Sequence, residues 1–130
     1  MMNKLPQISE REKDVMTVLW HIDKPLTASA ITEKKDELSI NTVQSVLRNL
    51  LKKQYIEVAE IVYSGTVLTR SYQPLITAEQ YAADQLQALR LNTLNFSTLN
   101  FIDHLLKNDK SVVLEDLEEM IRRRKEKEEE

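Results

Sequence analysis

The chain has no cysteine, one glycine, three prolines and two histidines in 130 residues. Lacking cysteine, it forms no disulfide and offers no thiolate to a metal or a substrate. One glycine leaves no phosphate-cradling loop of the P-loop or dinucleotide-binding kind. His21 and His104 lie far apart, with no partner at the i+3 or i+4 spacing of a helical metal pair. Both are expected to be structural or solvated. Carboxylates are plentiful, but they gather in a charged tail where nothing raises a pKa. No catalytic residue, metal or cofactor is therefore expected. No apolar run approaches the roughly 20 residues that span a bilayer, and the first residues lack the basic-then-apolar pattern of a signal peptide. A cytoplasmic protein without a membrane partner is the expectation.

What is present is a run with an unusual distribution of polar types. No Asp or Glu occurs from Leu38 through Ile56, although the chain carries 21 acids against 18 Lys/Arg. At about 100° per residue, Val43, Val46, Leu47, Leu50 and Leu51 fall on one side of a helix over 39–53. Asn41, Thr42, Gln44, Ser45, Arg48, Asn49 and Lys52 fall on the other. Amides, hydroxyls and cations are the groups that reach base edges and phosphates in duplex DNA, whereas a carboxylate there would be repelled. Net charge is −3, but residues 1–76 hold 10 Lys/Arg and 9 Asp/Glu, net +1. Residues 77–130 hold 8 and 12, net −4, so the acidity lies away from the candidate reading helix.

Around that helix the pattern predicts a winged helix-turn-helix over residues 1–76. Ser9 and Glu12 have capping-box spacing, opening a helix that Asp23-Lys24-Pro25 ends. A short second helix covers Ala28–Lys35, and Ser39 caps the third. Ile56–Tyr63 and Val67–Gln73 are strand-like and flank Ser64-Gly65, a turn dipeptide, with broken alternation near Glu60. This hairpin is the expected wing, in which Arg70 and Thr66 stand either toward a phosphate or minor groove or on a solvated face. Residues 77–130 read as helices over Ala78–Leu91, Leu99–Lys107 and Leu114–Arg124, followed by a charged tail expected to fray. The fold class is thus mainly α with a small β hairpin.

Those last 54 residues are too few to bury a core alone without disulfides or metal. Leu99, Phe101, Ile102, Leu105, Leu106, Leu117 and Ile121 would leave a large apolar surface on a monomer. Residues 77–130 are therefore expected to form a helical homodimerisation domain, which also presents two reading helices to a two-fold DNA site. A ligand cavity lined by the same leucines is the alternative, with few polar groups to orient a ligand.

Ser9-x-x-Glu12-x-x-Val15-Met16-x-Val18-Leu19-Trp20, Ser39-x-x-Thr42-Val43-Gln44-Ser45-x-Leu47, Leu50-x-Lys52-Lys53 and Tyr72-x-Pro74 occur in order. Together they resemble the penicillinase-repressor (BlaI/MecI/CopY) family of winged-helix transcriptional regulators over most of residues 7–76, and more loosely beyond. The resemblance implies a repressor binding an inverted-repeat DNA operator as a homodimer. It assigns base contacts to Ser39, Asn41, Thr42, Gln44 and Ser45, with Arg48 and Lys52 near phosphate. The chain departs from the family in several places. Asn41 stands where Lys is common, and Arg48 lies one residue before the usual Arg. Gln54 replaces a frequent Gly, and the wing is longer. The cysteine-rich motif of the copper-responsive branch is absent. The β-lactam branch implies relief through a sensor-protease pathway that cuts an Asn-Phe bond. Asn95-Phe96 and Asn100-Phe101 are present, and neither aligns with that cut site without a gap.

Trp20 is expected in the core. Arg122-Arg123-Arg124-Lys125 is followed at once by glutamates, which predicts intrahelical ion pairing instead of a nucleic-acid patch. Outside the repressor reading stand a winged-helix module docking an acidic protein partner and a ligand-responsive winged-helix regulator of another family.

Overall fold

A computed structural model describes residues 4–92 and 95–129, the side chains of residues 90–92 excepted. It divides into two compact units, Met1–Gln87 and Ala88–Glu130. In the first, Ser9 caps α1 (Glu10–Ile22). Its hydroxyl accepts the Glu12 N–H at 3.2 Å, and the Glu12 carboxylate accepts the Ser9 N–H at 2.8 Å, the reciprocal pair of a capping box. The helix stops where Asp23 turns left-handed, at φ 60°. Thr27 caps α2 (Ala28–Lys34) through the Ala30 N–H, and Ser39 caps α3 (Ile40–Lys52) through the Thr42 N–H.

Val15, Met16 and Leu19 of α1, Ile31 of α2, and Val43, Leu47 and Leu50 of α3 are buried together with Tyr55 and Ile56. Each large side chain removed from water in this way contributes about 1.5–3 kcal/mol. Trp20 is half-buried against this cluster, with its indole N–H donating to the Ile76 carbonyl at 2.8 Å.

The end of α3 is closed by a Schellman motif. The Tyr55 N–H donates to the Leu50 carbonyl at 3.0 Å and the Gln54 N–H to the Leu51 carbonyl at 3.1 Å. That geometry requires a left-handed residue, and Gln54 supplies it at φ 61°. Glycine adopts this conformation without a Cβ penalty; here glutamine bears it, with Tyr55 buried behind it.

β2 (Ile56–Ser64) and β3 (Val67–Pro74) form the wing, joined by Gly65 and Thr66. Gly65 lies at φ 66°, and a Cβ there would meet nothing, so its backbone conformation and not crowding favours glycine. The register shifts between Val58 and Glu60, leaving Ala59 as the extra residue of a bulge at the expected place. The expected hairpin is present, and a short third strand joins it. Leu26 and Thr27 form β1, pairing antiparallel with Tyr72 and Ser71, in the order β1-β3-β2. Two residues carry no alternation to read, and their strand exists only because β3 runs alongside.

α4 (Ala78–Asn92) opens on a second capping box. Thr77 N–H donates to Gln80 Oε1 at 2.8 Å and Gln80 N–H to Thr77 Oγ1 at 3.0 Å. Compact packing of the first unit runs past Ile76 to Gln87, because Tyr81 packs on the core and Asp84 is buried. The second unit holds α5 (Thr98–Asn108), capped by Ser97, and α6 (Leu114–Glu129). Residues 122–129, expected to fray, are helical, while Glu130 lies outside the described residues. Glu119 pairs with Arg122 and Arg123, and Arg122 also with Glu126, at the i+3 and i+4 spacings that support an exposed helix. Among the described residues, no helix is long and apolar enough to cross a membrane.

Replacing Gln54 by glycine should relieve the left-handed strain by more than it adds to unfolded-chain entropy. A gain of about 0.5–1 kcal/mol is expected, read as a higher urea midpoint. A lower midpoint would show that the glutamine side chain is itself stabilising.

Candidate nucleic-acid interface

With Val43, Val46, Leu47 and Leu50 turned inward, α3 presents Asn41, Gln44, Ser45, Arg48, Asn49 and Lys52 to solvent. Among the described residues, the side chains of Asn41, Gln44, Arg48 and Lys52 make no hydrogen bond or ion pair with the rest of the chain. Exposed and without a partner among the described residues, they can meet another polar surface with no internal rearrangement.

Ser39 and Thr42 are placed differently. Ser39 Oγ accepts the Thr42 N–H at 3.1 Å and donates to Thr42 Oγ1 at 2.9 Å, so its one proton is committed to closing the helix. Thr42 is half-buried.

Lys53, next to Lys52 in sequence, does not join this face. It turns back at the last turn of α3, donating to Gln7 O at 2.8 Å and to Glu12 Oε1 at 2.7 Å. Burial pushes the Glu12 carboxyl up, but hydrogen bonds from Lys53 and Ser9 and the Lys53 charge outweigh it and hold the pKa below its ordinary value. This clamp ties the end of α3 to the start of α1. The capping spacing of Ser9 and Glu12 is readable in sequence, whereas Lys53 closing the pair from 41 residues away is not.

The wing brings Arg70 and Ile61 opposite each other, and Tyr63 opposite Leu68, on exposed strand positions. Its tip is more apolar than the residue-type reading anticipated. Tyr63 is 73% exposed, Ile61 and Val67 65% each, and Leu68 58%. A hairpin too short to be covered on either face, yet rich in β-branched residues on both, was the available signal. β2 carries two carboxylates, Glu57 and Glu60, but from Ile61 through the turn and along β3 to Ala78 there is none.

In the second unit, Leu99 is 77% exposed, and Ile102, Leu105 and Ile121 are also exposed. Phe101, Leu106 and Leu117 are half-buried, with Phe101 packed on Phe96 at 5.7 Å between ring centroids. Neither α5 nor α6 contains a buried residue. Val112, Val113, Leu114 and Met120 extend the exposed apolar surface. In the basic run at 122–125, Arg122 and Arg123 pair with glutamates of their own helix. Among the described residues, no group of three or more His, Asp or Glu is placed to hold a metal.

A family model described as Penicillinase repressor matches residues 8–126. No curated protein matches the chain. Among solved structures, the adhesin competence repressor (AdcR) from Streptococcus pyogenes is similar at 14% identity. The alignment covers 95% of this chain and 82% of that one, with a TM-score of 0.42, too low to carry an argument.

The Glu12–Lys53 clamp makes a pH-dependent prediction. A carboxyl whose pKa is lowered by folding stabilises the fold above its ordinary pKa and loses that contribution as pH falls through the lowered one. Glu12→Gln should therefore unfold more easily near neutral pH by about 1–3 kcal/mol, measured by urea titration. The gap to wild type should narrow as pH falls below the ordinary glutamate range and close once it has passed through the lowered pKa of Glu12; a gap that persists in acid would mean that packing, not charge, is responsible.

Proposed function

The chain belongs to the penicillinase repressor family, and from that premise we propose how this DNA-binding transcriptional repressor engages its operator. Two protomers joined through residues 77–130 present their α3 helices to the major groove at the two halves of an inverted repeat. The observation that carries this reading is the outward arc of α3, which has no carboxylate and whose amides and cations have no partner among the described residues. Gln44 and Asn41 offer bidentate amides suited to adenine edges. Arg48 and Lys52 supply part of the salt-dependent attraction to phosphate. Ser45 and Thr42 add hydroxyl contacts, and Ser39 orients the helix by capping it. Arg70 and the distal part of the wing, which has no carboxylate from Ile61 on, lie against the backbone or the minor groove.

The exposed apolar residues of α5 and α6 support homodimerisation, since no described residue of either helix is buried. Covering Leu99, Ile102, Leu105 and Ile121 with a second copy removes from water a surface that a monomer would leave open. The acidic surplus of this part is tolerated because it need not approach phosphate. Relief through a sensor-protease pathway is the family's route in its β-lactam branch. In this chain Asn95-Phe96 and Asn100-Phe101 are the bonds such a route would use. Cell-wall antibiotic treatment followed by immunoblotting tests them; an intact protein would exclude that route.

Two substitutions separate reading from attraction. Gln44→Ala should weaken discrimination at one position of each half-site by about 1–3 kcal/mol. Lys52→Ala should weaken binding to all duplexes alike and reduce the salt slope by about 1. Identical effects of the two on every duplex would contradict this division. Ile102→Asp should convert the dimer to monomer in sedimentation at micromolar concentration; an unchanged mass would place the interface elsewhere.

A further inference from the structure

α4 is held to the winged helix by more than chain continuity. Tyr81 lies between two aromatic rings, Trp20 at 5.5 Å and Tyr55 edge-on at 6.3 Å. The chain just ahead of the α4 cap is fixed as well. The N–H groups of Leu75 and Ile76 donate to the Tyr55 carbonyl at 2.8 and 3.3 Å, and the Ile76 carbonyl accepts the Trp20 indole N–H. One turn further on, Asp84 is buried, and its Oδ1 accepts the N–H of Leu5 at 3.1 Å. The same N-terminal strap receives the Tyr55 hydroxyl at the Pro6 carbonyl, 2.6 Å away. Burial pushes the Tyr55 phenol up to about 12, helped by Tyr81 and Asp84, so this hydroxyl keeps its proton and its bond at any ordinary pH.

This latch is not what folds the helix-turn-helix. The buried apolar core runs from Val15 to Ile56 and is complete without α4. What the latch adds is a fixed direction for the first turns of α4, the only covalent route from the reading helix toward residues 88–130. An aromatic residue gripped between two others, together with a buried carboxylate holding a backbone N–H, resists rotation in a way that a plain linker does not.

We propose that Tyr81 and Asp84 are positioning residues that set the half-site separation the repressor accepts, by fixing the direction in which α4 leaves the winged helix. The inference rests on the reading of the protein as a dimer joined through residues 77–130. Arms that swing freely would tolerate half-sites at many separations, whereas arms held in one direction tolerate few.

The test uses the full chain and the duplex that wild-type protein enriches from a random pool, with its centre lengthened by one to about five base pairs, half a helical turn. Wild type should lose on the order of 100-fold in affinity at half a turn, because only one arm then engages. In Tyr81→Ala and in the milder Asp84→Ala, which removes a single hydrogen-bond acceptor, that loss should shrink to about 10-fold or less. The penalty for altering a half-site base should stay as in wild type. A spacing profile as steep in both variants as in wild type would overturn the inference while leaving the dimeric reading intact. A half-site penalty that collapses in parallel would also overturn it, since the residues would then support the reading surface itself. Wild-type protein indifferent to spacing would remove both the inference and the reading beneath it.

Discussion

Burial of Val43, Val46, Leu47 and Leu50 decides which way everything else on α3 faces. A helix repeats every 3.6 residues, so committing that stripe to α1 and α2 leaves the arc of Asn41, Gln44, Ser45, Arg48 and Lys52 no direction but outward. The commitment is strong. Four apolar side chains at about 1.5–3 kcal/mol each outweigh any gain from rotating a cation or an amide toward the protein. The ends of the helix are fixed by separate means, the Ser39 cap in front and the Schellman closure with the Glu12–Lys53 clamp behind. The outward surface is thus held ready, and ordering it for a partner costs little beyond the side-chain rotamers.

Charge acts through its distribution. A protein of net −3 would be repelled by a polyanion if its acids were spread evenly. Here the surplus lies in residues 77–130, where Glu119 and Glu126 pair with arginines of α6. α3 carries no carboxylate, and the two in the wing, Glu57 and Glu60, both precede Ile61. Glu12 is neutralised by Lys53, which is thereby turned away from the outward face of α3, while Lys52 stays exposed on it. Adjacent lysines therefore have opposite tasks, and a count of basic residues would merge them.

Much of this was readable from residue types because each signal was local. Ser9 with Glu12, Thr77 with Gln80, and Ser39 before an amphipathic run are caps whose partners lie three residues away. The helices they announce begin where expected. The bulge beside Glu60 showed as a break in alternation. What could not be read depended on distant partners. β1 is two residues long and exists through β3; Lys53 finds Glu12 across 41 positions; Asp84 finds Leu5 across 79. The charged tail was misjudged for a different reason. High charge density suggested fraying, but the spacing of Glu119, Arg122, Arg123 and Glu126 makes the charges complementary along one helix. Of the candidate interface, the outward arc of α3 and the Ser39 cap could be anticipated, whereas the exposure of the apolar wing residues and the hydrogen bond from Ser39 to the Thr42 hydroxyl required the fold.

The most direct test of the central claim is selection of bound sequences from a random duplex pool by the full chain at low salt. The account predicts enrichment of an inverted repeat whose half-sites are centred about one helical turn apart, ~10 base pairs, or a multiple of that. A pool that stays random after repeated rounds, or one that yields only isolated half-sites, would contradict it.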